Sequence, residues 1–548
     1  MLSSRIKLML LAILVITITS CEEDFLDTSP TDAIAAADAF ASEENMQLVL
    51  NGLHRGLYSQ SQTIFPGGST QRAGNHYWVP IGDNLTGGLI HSASANNLGW
   101  RSEMQWISHT DPFSLTNRIL WYHRYNIIAG ANGLINNAGN LTETPTLNTI
   151  LGQAYTYRAY SYLSLVQHYA KGYLIGNPAS DPGVIILFNS DPPFESGPRA
   201  TVQEVYDQIE ADLDEAIRLF QNGNPRGGGG PAAKSQLNIN VAYGLKARMA
   251  LSMGDWQTAA DNAVLARDGF PLMDEAAWLS GFNTNDLSEV IWGSNVIAAE
   301  TTFFRSYFYL ASNTFNGSQI RNNPKIADRR VIDATPETDY RKKAFLPTAP
   351  NTNTSAANGQ GGFGNDPNYT DEAVFDAAVD SINNVYGITT RFNLHPYMHF
   401  KLKNKNPGSI DPDDVIYMRT AEMYLIEAEA YAMLNNIPAA QAALNTLGSE
   451  RDSAYDVTQY NTQESLMDHI KWQRRLELWG EGFGYTDHIR WDEPIDHAAD
   501  GGSGASEILY QDAYQIDRPS VENRWVFKIP QAEIDANPNL GPESQNPN

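Results

Sequence analysis

Cysteine is nearly absent: Cys21 is the single one in 548 residues. That excludes an internal disulfide, a thiolate cluster and a cysteine-based zinc site. Positive charge is also scarce, with 37 Lys and Arg against 63 Asp and Glu and a net charge of −26. Residues 1–20 hold Arg5 and Lys7 but no acid, so the remainder stands at −28. Coulomb repulsion then opposes nucleic acid and anionic membrane surfaces as partners. Charged residues make up 18% of the chain, below the roughly 25% of an average soluble protein. Long apolar runs are missing too. The longest, Leu8 to Ile18, falls short of the ~20 residues that span a bilayer.

What is present is loop chemistry. Gly 42, Pro 28, Tyr 26 and Trp 11 in a chain that is 42% apolar indicate an ample core with long ordered loops carrying aromatics.

Arg5 and Lys7 before the apolar run read as a secretory signal. Its end, Ile18-Thr19-Ser20-Cys21, resembles the lipobox of bacterial lipoproteins. The resemblance implies that residues 1–20 are removed, that Cys21 is acylated, and that the lipid anchors the chain to the membrane. Several acyl chains at about 0.8 kcal/mol per buried CH₂ make a firm anchor. The acids Glu22, Glu23 and Asp24 resemble a surface-export signal.

Small residues recur at helical spacing in two places. Val241 to Leu251 turns at Gly254-Asp255-Trp256 and restarts through Ala259, Ala260 and Ala263. Ala428 to Ala432 turns at Asn435-Asn436 and restarts through Ala439, Ala440, Ala442 and Ala443. Alanines let two helices approach closely, as in tetratricopeptide-like repeats. A third, interrupted unit pairs the helix around Ala154–Tyr169 with one over Val202–Phe220, started by the capping box Thr201-x-x-Glu204. Between them Asn177–Pro198, with five prolines, is expected to be loop. From Leu272 to Asp411 periodicity weakens and Asn, Pro and aromatics rise. The expected class is all-α: a helix-turn-helix scaffold carrying a loop-rich subdomain and only minor β structure.

Motif order along the chain then resembles the SusD/RagB family of outer-membrane nutrient-uptake lipoproteins. The residues are Cys21-Glu22-Glu23-Asp24-Phe25-Leu26-Asp27, Asn51-Gly52-Leu53, Trp121 with Tyr125, and Arg158-Ala159-Tyr160-x-Tyr162. Further on come Arg419-Thr420-Ala421-Glu422 through Ala430, Arg474-Arg475-Leu476-Glu477-Leu478-x-x-Glu481-Gly482-Phe483, Asp487 and Arg490-Trp491. Gly484 departs from the pattern where a basic or aromatic residue is common, and His488 where an apolar one is. The resemblance implies a lid on a SusC-like TonB-dependent transporter that binds an oligosaccharide and delivers it for import; the alternatives are a peptide ligand or a surface-tethered glycoside hydrolase. It divides the chain into the signal at 1–20, an N-terminal part at 21–271, an insertion at 272–411 and a C-terminal part at 412–548.

Arg158, Arg419, Glu422, Glu427, Arg475, Glu477 and Glu481 are charges on apolar helices, expected as ion pairs of the scaffold because inward charges must be paired. Catalytic motifs are thin. Gly227–Ser235 ends like a phosphate loop but has Ala233 where the glycine before lysine belongs. His395 and His399 share i, i+4 spacing, yet Pro396 disfavours a helix through His395. Asp411, Asp413 and Asp414 lack the glycine and glutamate that complete an EF-hand loop. No enzyme, metal or cofactor is expected. Sugar rings stack their C–H faces on Trp and Tyr while polar side chains take the hydroxyls. Trp78, Trp100, Tyr307 and Tyr309, with Asp83 and Asn84, are the expected ligand contacts.

Overall fold

The computed structural model describes residues 38–63, 67–69, 72, 74–91, 101–189, 196–228, 230–302, 304, 306–314, 324–352, 362–386, 394–495, 518–520 and 522–547. Cys21, the signal segment, Trp100 and Arg305 lie outside them, as does half of the polar stretch 351–368.

The fold is predominantly helical. Its N-terminal part runs through α1 (Glu43–Gly56), the short helices α2 (Gly74–Trp78) and α3 (Ile81–Leu85), strand β1 (Leu89–His91), then α4 (Leu115–Asn137) and α5 (Pro145–Tyr169). Strands β2 (Pro182–Ile185) and β3 (Arg199–Thr201) lead into α6 (Val202–Gln221), followed by α7 (Ile239–Met253) and α8 (Trp256–Ala266). The middle of the chain supplies β4 (Val290–Ser294), β5 (Lys325–Ala327), α9 (Arg329–Asp333), β6 (Phe345–Leu346), α10 (Glu372–Val385) and β7 (Met398–His399). Strand β8 (Val415–Arg419) opens the C-terminal part: α11 (Thr420–Met433), α12 (Ile437–Arg451), α13 (Gln463–Glu477) and α14 (Gly484–Arg490).

Three helix pairs form the scaffold: α5 with α6, α7 with α8, and α11 with α12. Alanine sets their closeness. Ala259, Ala260, Ala263 and Ala266 on α8 and Ala421, Ala428 and Ala432 on α11 are all fully buried. On α7, Gly244 leaves the room that the Met418 side chain of β8 fills; a Cβ there would make that flexible side chain move. The α6 start is a capping box: Thr201 Oγ1 accepts the Glu204 N–H, and Glu204 accepts the Thr201 N–H at 2.7 Å. The loop before it contains one departure from expectation, because β2 pairs antiparallel with β3.

The 272–411 segment is more ordered than its composition implies. Its β5, β7 and β6 join β1 in a small antiparallel sheet, order β1-β5-β7-β6. That sheet has a core of its own, with Ile90, Ile326, Met398 and Phe400 packed on Phe375 and Val379 of α10. Strand β4 pairs with β8, Val290 opposite Arg419, stitching the segment to the root of α11.

Beneath that ladder lies a buried ionic core. Four cations, Arg341, Lys401, Arg419 and Arg451, meet four carboxylates, Glu289, Asp339, Glu477 and Glu481. Glu477 sits at its centre. It accepts from Arg341 at 2.7 Å, Arg419 at 2.7 Å, Arg451 at 3.2 Å and the Trp278 indole at 3.1 Å. Burial opposes its charge, but Arg451, Arg419, Arg341 and Lys401 together hold the carboxyl well below the usual range.

Candidate functional site

Beside this core α13 ends at a glycine-rich turn, Gly480-Glu481-Gly482-Phe483-Gly484, that starts α14. Gly480 and Gly482 have φ of +80° and +92°, which side chains rarely adopt. The turn is seated on α3 by close backbone approach: a Cβ at Gly82 would meet the Gly482 carbonyl, and one at Gly482 the Val79 carbonyl. Asp83 completes the seat, accepting the Gly482 N–H at 2.8 Å and the Gly484 N–H at 2.9 Å. Burial raises its pKa to about 6, outweighing those two donors and Lys401.

Outside this turn opens a cleft of about 410 Å³ between α3, α9, α13 and α14, within the roughly 300–1,000 Å³ of small-molecule sites. Half-buried Trp472 and Trp491 line it. His469 stacks on one face of Trp472, 5.3 Å away and 25° from parallel. The Trp491 indole donates to Glu429 at 2.8 Å. Charged pairs ring the mouth: Arg330 with its own helix cap Asp328 at 2.6 Å, and Arg475 with Glu493 at 2.7 Å.

Next to the cleft is a second cavity of about 150 Å³, lined by Trp78, Arg124, Tyr160, Arg248 and Glu422 among others. Arg474, Phe483 and Asp487 line both spaces and so form the wall between them. Arg474 grips Asp487 through two hydrogen bonds, 2.8 and 3.0 Å long.

The expected ligand residues divide accordingly. Trp78 is 6% exposed, packed among Tyr77, His168 and Phe527 along the second cavity, its indole nitrogen without a hydrogen-bond partner among the described residues. Tyr307 is buried and donates to the Gly480 carbonyl at 2.9 Å; Tyr309 is buried against Phe304; Asn84 is buried and donates to the Leu89 carbonyl at 3.2 Å. Of these expected ligand contacts, Trp78, Tyr307, Tyr309 and Asn84 are all buried, the aromatics because short helices gave them an inward face, and of the four Trp78 alone lines one of the two spaces described above. Asp83 reaches the cleft wall but is engaged by the turn. Trp100 lies outside the described residues.

The helix charges all have partners. Arg158 grips Asp212 at 2.6 Å, Arg248 holds Glu422 at 2.6 Å, Arg267 holds Glu427 at 2.7 Å, and Arg419 spans Glu289, Glu477 and Glu481. Lys234 of the glycine-rich loop donates to the Leu287 carbonyl at 2.7 Å. His399 bonds the Ala311 carbonyl, and no group of three or more His, Cys, Asp or Glu among the described residues is placed to hold a metal ion. No helix among the described residues is long and apolar enough to cross a membrane.

Two family descriptions match, in order and without overlap: "Starch-binding associating with outer membrane" over residues 24–251 and "SusD family" over residues 281–548. The chain belongs to the SusD/RagB family. SusD-like protein P2 of Formosa agariphila is 24% identical over 492 residues, covering 85% of this chain and 86% of that protein. Among solved structures, a SusD-like carbohydrate-binding protein from Bacteroides vulgatus superposes with a TM-score of 0.72 at 23% identity, covering 93% of this chain and 99% of that one. Surface glycan-binding protein A from Bacteroides thetaiotaomicron, solved in complex with laminarihexaose, gives 0.60 at 16% identity, over 92% and 99%. The departures at Gly484 and His488 have local causes. A Cβ at Gly484 would lie 2.8 Å from an Asp83 oxygen, and His488 stacks on Trp525 at 20° while one ring nitrogen meets the Glu493 carbonyl at 3.2 Å.

Missed in the sequence were Trp472, Asp328, Arg330 and Glu493. Trp472 and Arg475 stand three apart on one helix, and that spacing next to Arg490-Trp491 was the available signal.

Proposed function

We propose that this SusD/RagB protein is a cell-surface outer-membrane lipoprotein, anchored through Cys21, that binds an oligosaccharide without cleaving it and delivers it as a lid to a SusC-like TonB-dependent transporter. The observation that carries the reading is the family match along nearly the whole chain together with the fold it shares with a protein solved around laminarihexaose. The cleft adds chemistry that suits it, with indole surface for sugar C–H faces and charged pairs offering both donors and acceptors to hydroxyls. Affinity purification from outer membranes tests delivery: a TonB-dependent barrel should co-purify with the tagged chain. Cys21→Ala should release the protein from the membrane fraction; persistence there would refute the lipid anchor. Incubation with the bound polysaccharide should yield no new reducing ends, and their appearance would overturn the non-catalytic assignment.

A further inference from the structure

Resting on the carbohydrate reading above, we infer that the cleft between α9, α13 and α14 is an oligosaccharide contact site and that it selects uncharged sugars, with Trp472 as platform and the Arg330–Asp328 and Arg475–Glu493 pairs as hydroxyl clamps.

Charge balance carries the selectivity. Each arginine lining the cleft already faces a carboxylate: Arg330 faces Asp328, Arg474 faces Asp487, and Arg475 faces Glu493. Lys471 beside Trp491 leans on Glu493 as well, at 3.9 Å. Asp83 is an additional acid in the wall, held by two backbone donors. His488, half-buried and next to Arg475, has its pKa lowered to about 4 by desolvation and by that arginine, and is neutral at physiological pH. Among the described residues the lining therefore carries no surplus positive charge, and the chain as a whole stands at −26. A uronate or sulfate ester entering here would have to displace a carboxylate from its arginine and would meet a repelling field. A hydroxyl does neither. It donates to the carboxylate edge and accepts from the guanidinium edge of the same pair, so a matched pair is a two-sided hydroxyl site.

Geometry carries the placement. Trp472 has one face taken by His469 and is half-buried at the cleft wall, its nitrogen tied to the Val331 carbonyl at 3.3 Å, so the ring is fixed in orientation before any ligand arrives. Arg330 is 41% exposed at the mouth.

Affinity electrophoresis of the full chain separates the outcomes. The gels contain laminarin or amylopectin as neutral polymers, and alginate or a sulfated galactan as anionic ones. At least one neutral polymer should retard the protein equally at low and high salt, and the anionic ones should not. Arg330→Ala should weaken retention several-fold, and Trp472→Ala should abolish it. Asp328→Asn with Glu493→Gln, which uncovers two arginines, should create salt-sensitive retention by alginate. Retardation of the wild type by the anionic polymers alone would overturn the ligand class while leaving carbohydrate binding standing. Retention by a neutral polymer that Arg330→Ala and the double variant leave unchanged would overturn the cleft assignment. No retardation by any polymer would bring down the carbohydrate reading and this inference together.

Discussion

Helix α13 shows two faces built from the same residue types. Inward, Glu477 and Gln473 join an ionic core in which Arg341, Arg419 and Arg451 are at most 1% exposed. Outward, Trp472 and Arg475 face a cleft where Arg475 is 37% and Arg330 41% exposed. Arginine–carboxylate pairing is the common element and burial is the difference. A buried pair broken on one side strands a charge that cannot hydrate, whereas an exposed pair exchanges its partner for water at little cost. The inner face is thereby committed to the fold, and the outer one is left available to a ligand.

Removing the hub should give the largest effect. Glu477→Gln keeps the shape and removes the charge on which Arg341, Arg419 and Arg451 converge. A loss of about 3–5 kcal/mol is expected, the range for breaking a buried pair. Urea unfolding followed by circular dichroism measures it; a change comparable to that of an exposed pair would erase the distinction between the two faces.

Gly482→Ala comes next. Its φ of +92° and the Val79 carbonyl in the way both oppose a side chain. Strained backbone of this kind costs about 1–3 kcal/mol, to which the collision adds. Because the turn forms the wall between cleft and cavity, the variant should also lose glycan retention, unlike Glu477 variants that remain folded.

How much of this was legible follows the same inside–outside division. Alanine spacing announced the α7–α8 and α11–α12 pairs, because close helix packing demands small residues locally, and Thr201 with Glu204 announced the start of α6. Charges on apolar helices announced pairing. Their partners stayed hidden, since Asp212 is 54 residues from Arg158 and Glu289 is 130 from Arg419. Strands of two or three residues, such as β6 and β7, are too short to show a two-residue period, so the sequence announces minor β structure without placing it. The cleft was invisible for a stronger reason: it gathers Asp83, Arg330, Trp472 and Glu493 from segments that only the tertiary fold brings together.

Titration separates two buried carboxylates with opposite signs. Glu477 is held below its ordinary value of 4.5, so its stabilisation is complete above that pH and is lost as pH falls. Asp83 is raised from 3.8 to about 6, so the folded state binds the extra proton in that window. Its contribution is greatest below 3.8 and declines as pH rises through about 6. In Asp83→Asn that decline should disappear, making unfolding free energy rise more steeply with pH between those values than in wild type. A wild-type slope retained in the variant would mean that Asp83 titrates normally.

The smallest stability effect is expected where the functional effect is sharpest. Arg330→Ala removes one member of an exposed pair on a helix cap, worth at most about 1 kcal/mol. Asp328 keeps its capping bond to the Arg330 backbone N–H at 2.9 Å, which the substitution does not touch. Unfolding midpoints of variant and wild type should therefore nearly coincide, while retention by a neutral glycan falls several-fold. If instead Arg330→Ala lowers stability as far as Glu477→Gln does, the outer pairs belong to the scaffold after all, and the cleft is a gap between structural elements rather than a surface left free for sugar.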